Sequence, residues 1–377
     1  MLEGVGKATV LRKSPAFARL ARKRELLDRL TAKKMHQAPP RREKRRIIPL
    51  IEVTLLAIAL VLPILLDDFW VLFTTRVFIL GMLALSFDLV WGYAGIMSFG
   101  QALFFGMAGY SAALLATKWD ITSVFVLLPV AAIVGLVVAF VIAVIIILGK
   151  RPPNLVFVAL GTLTSSYVVE RLARGWSYVG GQNGIPSLPR LTAGSFELTE
   201  GPLFYYLALV LLALVYLGLR VLTRSQFGLV LAGIRQQEHR MAFFGYKIQN
   251  YKGFVFSLAG LVAGLSGGLY AFHEGYVGPG QLGPVLSTQV VLYALFGGAG
   301  TLVGPIVGTG LVDLFSYYLS QMWQTGWPIV LGLLLLIIVM FRPTGLIGFL
   351  VSDRERVGSF GRPSKVVPIR KASHEPA

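Results

Sequence analysis

Ten apolar stretches constrain what this chain can fold into. They lie at about 48–66, 70–92, 95–117, 122–148, 154–173, 202–222, 253–273, 285–303, 304–321 and 327–341. Several reach or exceed the roughly 20 residues that cross a hydrocarbon core as helix. None has the ten-residue alternation of an outer-membrane strand. The sequence therefore predicts an all-α fold, a polytopic transmembrane helical bundle of about eight to ten spans. Of the 377 residues only 14% are charged, against about 25% in soluble domains. Three regions follow: a basic tail over 1–46, a membrane domain over 47–350 and a second tail over 351–377. The segments 95–117 and 285–321 are dense in glycine and interrupted by proline. They read as broken or re-entrant helices, which a membrane tolerates only where protein or a watery cavity surrounds them.

Charge placement orients the bundle. The formal net charge of +17 is concentrated in residues 1–50, which hold 15 Lys/Arg against 4 Asp/Glu. Beside a first span such an excess marks the cytoplasmic side and attracts anionic membrane lipid, so nucleic acid is not the expected partner. Phe17, Leu20, Leu27 and Leu30 recur at helical spacing among Arg22, Lys23, Arg24 and Arg29, which suits a helix on a membrane surface; a disordered tail is the alternative. The tail is too polar for a secretory signal. An even span count places both termini on the cytoplasmic side. Lys150, Arg151, Arg220, Arg224, Arg235, Arg240, Lys247, Lys252, Arg342, Arg354 and Arg356 then fall in cytoplasmic connections, and Asp67, Asp68, Asp120, Glu197 and Glu200 in outer ones.

Catalytic chemistry finds no foothold in the sequence. With no cysteine, thiolate metal sites, disulfides and cysteine nucleophiles are excluded. His36, His239, His273 and His374 are too scattered for a metal motif and read as tail, surface or loop residues. Gly4-Val5-Gly6-Lys7-Ala8-Thr9 lacks the earlier glycine and preceding strand of a phosphate loop. Neither a catalytic nor a metal site is predicted. Charged residues in or near spans carry more information. Arg76, Asp88 and Asp313 read as deep and paired between helices, whereas Glu170, Arg171 and Glu274 lie near enough to span ends to be wet.

Four motifs stand out. Residues 92–115, GYAGIMSFGQALFFGMAGYSAALL, carry Gly95, Ser98, Gly100 and Gln101 in a run whose glycines bring backbones together and whose polar groups can meet a solute. The loop 223–252 contains a polar, helix-prone stretch with Ile234, Arg235, Glu238 and Gly245, read as a short cytoplasmic helix ending in a turn. Gly260, Gly264 and Gly268, and again Gly300, Gly304 and Gly308, recur every fourth residue, the signature of close helix packing. Gly180, Gly181 and Gly184 precede Ile185-Pro186 in a long outer loop, which should have a task or be disordered.

These motifs, in this order over about residues 50–350, resemble the branched-chain amino acid ABC importer permease family, which includes urea and amide permeases. The first resembles its Gly-Tyr-x-Gly-x-x-Ser-x-Gly segment, with Gln101 where histidine is common and Ala108-Gly109 in reversed order. The second is similar to its coupling loop, with His239 and Arg240 where alanine is usual. The resemblance implies coupling to an ATPase through Ile234, Arg235, Glu238 and Gly245. It further implies a translocation path near Gly95, Ser98, Gly100 and Gln101, and docking of a solute-binding protein at Gly180, Gly181 and Gly184. The expected partners are a homologous second permease, two cytoplasmic ATPases and a periplasmic solute-binding protein, with ATP and Mg on the ATPases and no cofactor in this chain. The expected activity is import of branched-chain amino acids, or of a related small polar solute such as urea or amides, across the bacterial inner membrane by alternating access. An ion-coupled secondary transporter using Asp88 or Asp313 is the alternative.

Overall fold

The structure, a computed structural model, describes residues 47–149, 154–194 and 196–323, with isolated positions beyond. The chain divides after Ile51, and the account below concerns the unit that begins at Glu52. The tail helix at 17–30, most of the tenth apolar segment and the C-terminal tail lie outside the described residues.

The other nine apolar segments are helices. α1 is Ile47–Leu65, and α2 is Asp68–Asp88, continued by a π turn over Leu89–Tyr93. There follow α3 (Gln101–Lys118), α4 (Val124–Ile146), α5 (Leu155–Gly175), α6 (Pro202–Arg224), α7 (Gln226–Gln236), α8 (Glu238–Phe243), α9 (Ile248–Glu274), α10 (Pro284–Gly297) and α11 (Val303–Met322). Among the described residues there are also two two-stranded ribbons. β1 (Ile185–Pro186) pairs antiparallel with β4 (Tyr276–Val277), and β2 (Leu191–Ala193) with β3 (Phe196–Leu198). Among the described residues, five helices are long and apolar enough to cross a membrane. α10 is not: its 14 residues rise about 21 Å, short of a roughly 30 Å hydrocarbon core.

The glycine-dense segments break where glycine permits. The last turn of α2 widens so that Ala94 N–H reaches the Leu89 carbonyl at 3.3 Å; Gly95 then takes a positive φ of 70°. The segment resumes as helix only at Gln101. Its freed backbone groups find partners on neighbouring helices: Phe99 N–H donates to Thr162 Oγ1 at 3.0 Å and Ala102 N–H to Ser287 Oγ at 3.3 Å. The irregular backbone of this break is therefore enclosed by protein, the condition under which a membrane domain tolerates it. The second break, at 298–302, separates α10 from α11. Gly300, expected on one helix face with Gly304 and Gly308, lies in this break at φ 83°; only the latter two are helical.

α9 is the centre of the bundle, packed against α2, α3 and α4. A Cβ placed on Gly264 would come within 2.8 Å of the Gly135 Cα, and one on Gly268 within 2.5 Å of the Ala131 Cβ. The stripe Gly260, Gly264, Gly268 thus meets a matching stripe on α4, Ala131, Gly135 and Ala139, and the two backbones touch. Between Gly264 and Gly268, Gly267 abuts the Phe105 carbonyl of α3, while Ser266 donates to the Ile79 carbonyl of α2 at 2.6 Å. Where α4 and α6 face outward they carry bare apolar side chains such as Phe125, Ile145 and Val221, as lipid contact demands.

Connections segregate by charge. On one side, Thr192 N–H donates to the Thr122 carbonyl at 2.9 Å and Leu188 N–H to the Gly275 carbonyl at 3.1 Å. These bonds join the loops at 119–123, 176–201 and 275–283 into one cap, here the acidic face. On the other, the breaks at 94–100 and 298–302 meet the segment 225–247, here the basic face. The loop expected over 223–252 is shorter, because Arg224 ends α6 and Ile248 already begins α9.

Candidate translocation cavity and coupling surface

On the basic face the chain folds back as two short helices. Ile234, in the last turn of α7, is fully buried. Gln237, at φ −154° and ψ 91°, ends α7 and starts α8. α8 closes on Gly245 at φ 85°, with Gly245 N–H donating to Ala242 at 2.9 Å and Tyr246 N–H to Met241 at 3.3 Å. That pair of bonds is a Schellman termination, which needs a left-handed residue and so favours glycine. Glu238 pairs with Lys252, whose side chain is buried on the first turns of α9. The C-terminal end of α8 is bare: Phe243 is 91% exposed and Phe244 77%.

Arg235 carries the hairpin inward. Its guanidinium donates to the Gly92 carbonyl in the π turn. A Cβ on Gly95 would lie 3.0 Å from Arg235 Cγ, and one on Gly300 3.4 Å from its Nη1. The arginine is thus wedged among three glycines, one from the turn and one from each break. Beside it, fully buried Asp88 accepts from Gly300 N–H at 2.5 Å and Leu302 N–H at 3.2 Å. One carboxylate thereby holds the 298–302 break to α2. A Cβ on Gly92 would lie 2.6 Å from the Gly300 nitrogen. Three motifs far apart in sequence, around 92–100, 234–238 and 297–304, meet at this point.

Near the acidic face lies a cavity of about 690 Å³ between α2, α9, α10 and α11. Arg76 of α2 places Nε 3.8 Å from Glu274 and 3.9 Å from Asp313. Tyr293 donates to Asp313 Oδ1 at 2.7 Å, while Oδ2 accepts no hydrogen bond among the described residues. Phe69, Leu72 and Phe73 form an apolar wall, to which Tyr317 adds a ring 5.3 Å from that of Phe69. His273, expected in a loop or on the surface, is buried at the end of α9 and lines this cavity. Glu200 stands at its rim outside the spans; partial burial first, and Glu274 second, raise its carboxyl above the ordinary range.

Gly95, Ser98, Gly100 and Gln101, the residues expected near a translocation path, lie outside this cavity. Ser98 is buried, accepting from Gly100 N–H at 3.2 Å. Gln101 is buried too, and accepts from Ser86 at 3.1 Å. None of Gly95, Ser98, Gly100 and Gln101 lines the cavity; they form the packed break and the start of α3. Gly180, Gly181 and Gly184 all take positive φ, and a Cβ on Gly184 would lie 2.8 Å from the Gly278 Cα. In this structure they shape a tight turn against the strand that pairs with β1. Arg76 and Asp313 do pair between helices, whereas Asp88 binds backbone.

What the sequence reading did not assemble is the cavity itself, although its signal is present. Phe69, Leu72, Phe73 and Arg76 fall at i, i+3, i+4 and i+7 on α2, and Asp313, Ser316, Tyr317 and Ser320 at the same spacing on α11, each a single helix face.

Apolar helices around two enclosed breaks, with a charged cavity on one face and a protruding hairpin on the other, define a multi-pass membrane permease. The chain belongs to the branched-chain amino acid transport permease family: residues 70–341 match the family described as "Branched-chain amino acid transport system / permease component". It is similar to the high-affinity branched-chain amino acid transport system permease protein LivM of Escherichia coli, 25% identical over 318 residues covering 78% of this chain and 74% of that one. A probable branched-chain amino acid transport permease protein LivM of Methanocaldococcus jannaschii is 24% identical over 315 residues, 71% of this chain and 89% of that one. The autoinducer 2 import system permease protein LsrC of Yersinia pestis is 27% identical over 222 residues, 56% and 60%. No solved structure matches.

Proposed function

We propose that this chain is the transmembrane subunit of an ATP-driven importer of the cytoplasmic membrane, moving branched-chain amino acids or a related small polar solute inward by alternating access. The observation that carries the reading is the hairpin α7–α8. The C-terminal end of α8 offers two bare phenylalanines to a soluble partner, Ile234 in the last turn of α7 is buried, and Arg235 touches both helix breaks. A load applied at Phe243 and Phe244 passes through a Glu238–Lys252 clasp to α9 and through Arg235 to the 94–100 and 298–302 breaks. The basic face is then cytoplasmic, with two ATPases docked there and ATP and Mg bound on them. A homologous permease completes the pathway, and a solute-binding protein delivers at the acidic face, where the turn at Gly180, Gly181 and Gly184 stands.

Co-expression with candidate ATPase subunits tests this reading. Phe243→Ala with Phe244→Ala should abolish co-purification and ATP-dependent uptake into proteoliposomes while the chain still inserts; uptake that persists without ATP rejects it. The intramembrane cluster Arg76, Glu274 and Asp313 favours the second reading, a carrier driven by an ion gradient. Uptake driven by a proton or sodium gradient alone would select it.

A further inference from the structure

We propose that the segment Tyr276–Gly283 is a conformational latch: a plug seated deep between α3 and α5 that withdraws when the outer turn Gly180–Gly184 is displaced, and shifts α10 as it does so. That a docked solute-binding protein displaces the turn rests on the permease reading above; the linkage between turn, plug and α10 does not.

The plug is re-entrant. The chain leaves α9 at Gly275 on the acidic face, yet Leu282 is buried against Gly106 of α3, where a Cβ would lie 2.6 Å from Leu282 Cδ2 and 2.9 Å from the Gln281 carbonyl oxygen. Ser166, the twelfth of the 21 residues of α5, donates to the Leu282 carbonyl at 2.5 Å. The chain has thus descended to the middle of the bundle before Pro284 starts α10, which is why 14 residues suffice for that helix to reach the 298–302 break.

One end of the plug is tied to the outer surface and the other to α10. Its first two residues form β4, which pairs with β1, and Gly184 packs on the Val277 carbonyl. Displacing the turn 180–184 therefore pulls on the plug. At the far end Gly283 is bonded directly to Pro284. α10 carries Ser287, which accepts from Ala102 N–H beside the 94–100 break, together with Gln289 and Tyr293 at the cavity. The seat holds the plug lightly. Gln281 Oε1 and, one turn beyond Gly106 on α3, Tyr110 Oη are buried with no hydrogen-bond partner among the described residues, which disfavours the seated form. Against that stand the burial of Leu282 and, among the described residues, one side-chain hydrogen bond from the helices, that of Ser166. Opposed contributions of this kind are the condition for two populated arrangements.

Because the chain has no cysteine, introduced thiols report without background. In lipid nanodiscs the thiol of Leu282→Cys should react slowly with a membrane-impermeant maleimide. Adding Gly184→Val, which drives the turn off the Val277 carbonyl, should speed labelling at least about tenfold. Adding Ser166→Ala, which leaves the turn intact, should speed it about two- to tenfold, as loss of one hydrogen bond allows. Thermal melting is the control for folding. In a second measurement Gly106→Cys is combined with Leu282→Cys. A Cβ on Gly106 lies 2.7 Å from Leu282 Cγ, so the two Cβ atoms are no further apart than disulfide geometry allows. The oxidised pair should abolish ATP-driven uptake and dithiothreitol should restore it, with co-purification of the ATPases unchanged. Native labelling rates in folded Gly184→Val or in Ser166→Ala, or uptake undiminished by the disulfide, overturn the proposal. Absence of ATP-driven uptake in the native chain rejects the permease reading instead, and the labelling rates then decide the latch.

Discussion

Asp88 shows how one side chain in this protein serves the main chain of another segment. Its carboxylate accepts from Gly300 and Leu302, 212 and 214 residues away, where a break in the helix leaves two donors without helical acceptors. Alanine there strands both in a buried site, at about 1–3 kcal/mol each, whereas asparagine keeps one acceptor oxygen. Asp88→Ala should therefore melt below Asp88→Asn, and Asp88→Asn below the native chain, in detergent. Hydrogen exchange should rise first at 300–302; exchange unchanged at those amides would refute the capping role. The sequence shows Asp88 as a charge within an apolar run and cannot say that its partners are amides, because a backbone donor has no letter.

At the scale of elements, two kinds of glycine separate. Gly245 ends α8 at φ 85° with nothing near its missing Cβ, so alanine there meets only left-handed strain of about 1–2 kcal/mol. Gly264 has ordinary helical backbone but lies against Gly135, so a larger side chain must push α9 off α4. Gly264→Val should lose about 1–3 kcal/mol or more through overpacking and Gly245→Ala less, measured as denaturation midpoints in mixed micelles. Equal losses would contradict the close approach. The repeat of four was legible in the α9 sequence; the answering stripe Ala131, Gly135, Ala139 was not, because alanine in an apolar helix is too common to stand out. The second repeat misled, since Gly300 keeps the spacing but lies where the helix has not begun.

For the whole molecule, the question is how the basic face communicates with the cavity. Arg235 joins the hairpin to the π turn ending α2, and α2 carries Arg76 at the cavity. The 298–302 break leads into α11, which carries Asp313. Both helices that hold the cavity's central ion pair thus end on their basic side at the same arginine. Arg235→Ala should leave ATPase docking through Phe243 and Phe244 intact while cutting solute-stimulated ATP hydrolysis and uptake together, at least about tenfold, as loss of a charged hydrogen bond in a closed site allows. Full stimulation in the variant would show that force travels by α9 alone.

Span positions, the broken character of 95–117 and 285–321, the sorting of charge to two faces and the helical polar hairpin were all readable from the residues. Each is a local property: bilayer thickness sets the length of an apolar run, and glycine, proline and charge act within a few positions. The cavity, the meeting of three motifs at Arg235 and the burial of Ser98 and Gln101 in the packed break were decided only by tertiary structure. They depend on which helices become neighbours, and in an apolar bundle that choice is made by close contact between small residues on different segments, a pairwise fit that no single segment encodes.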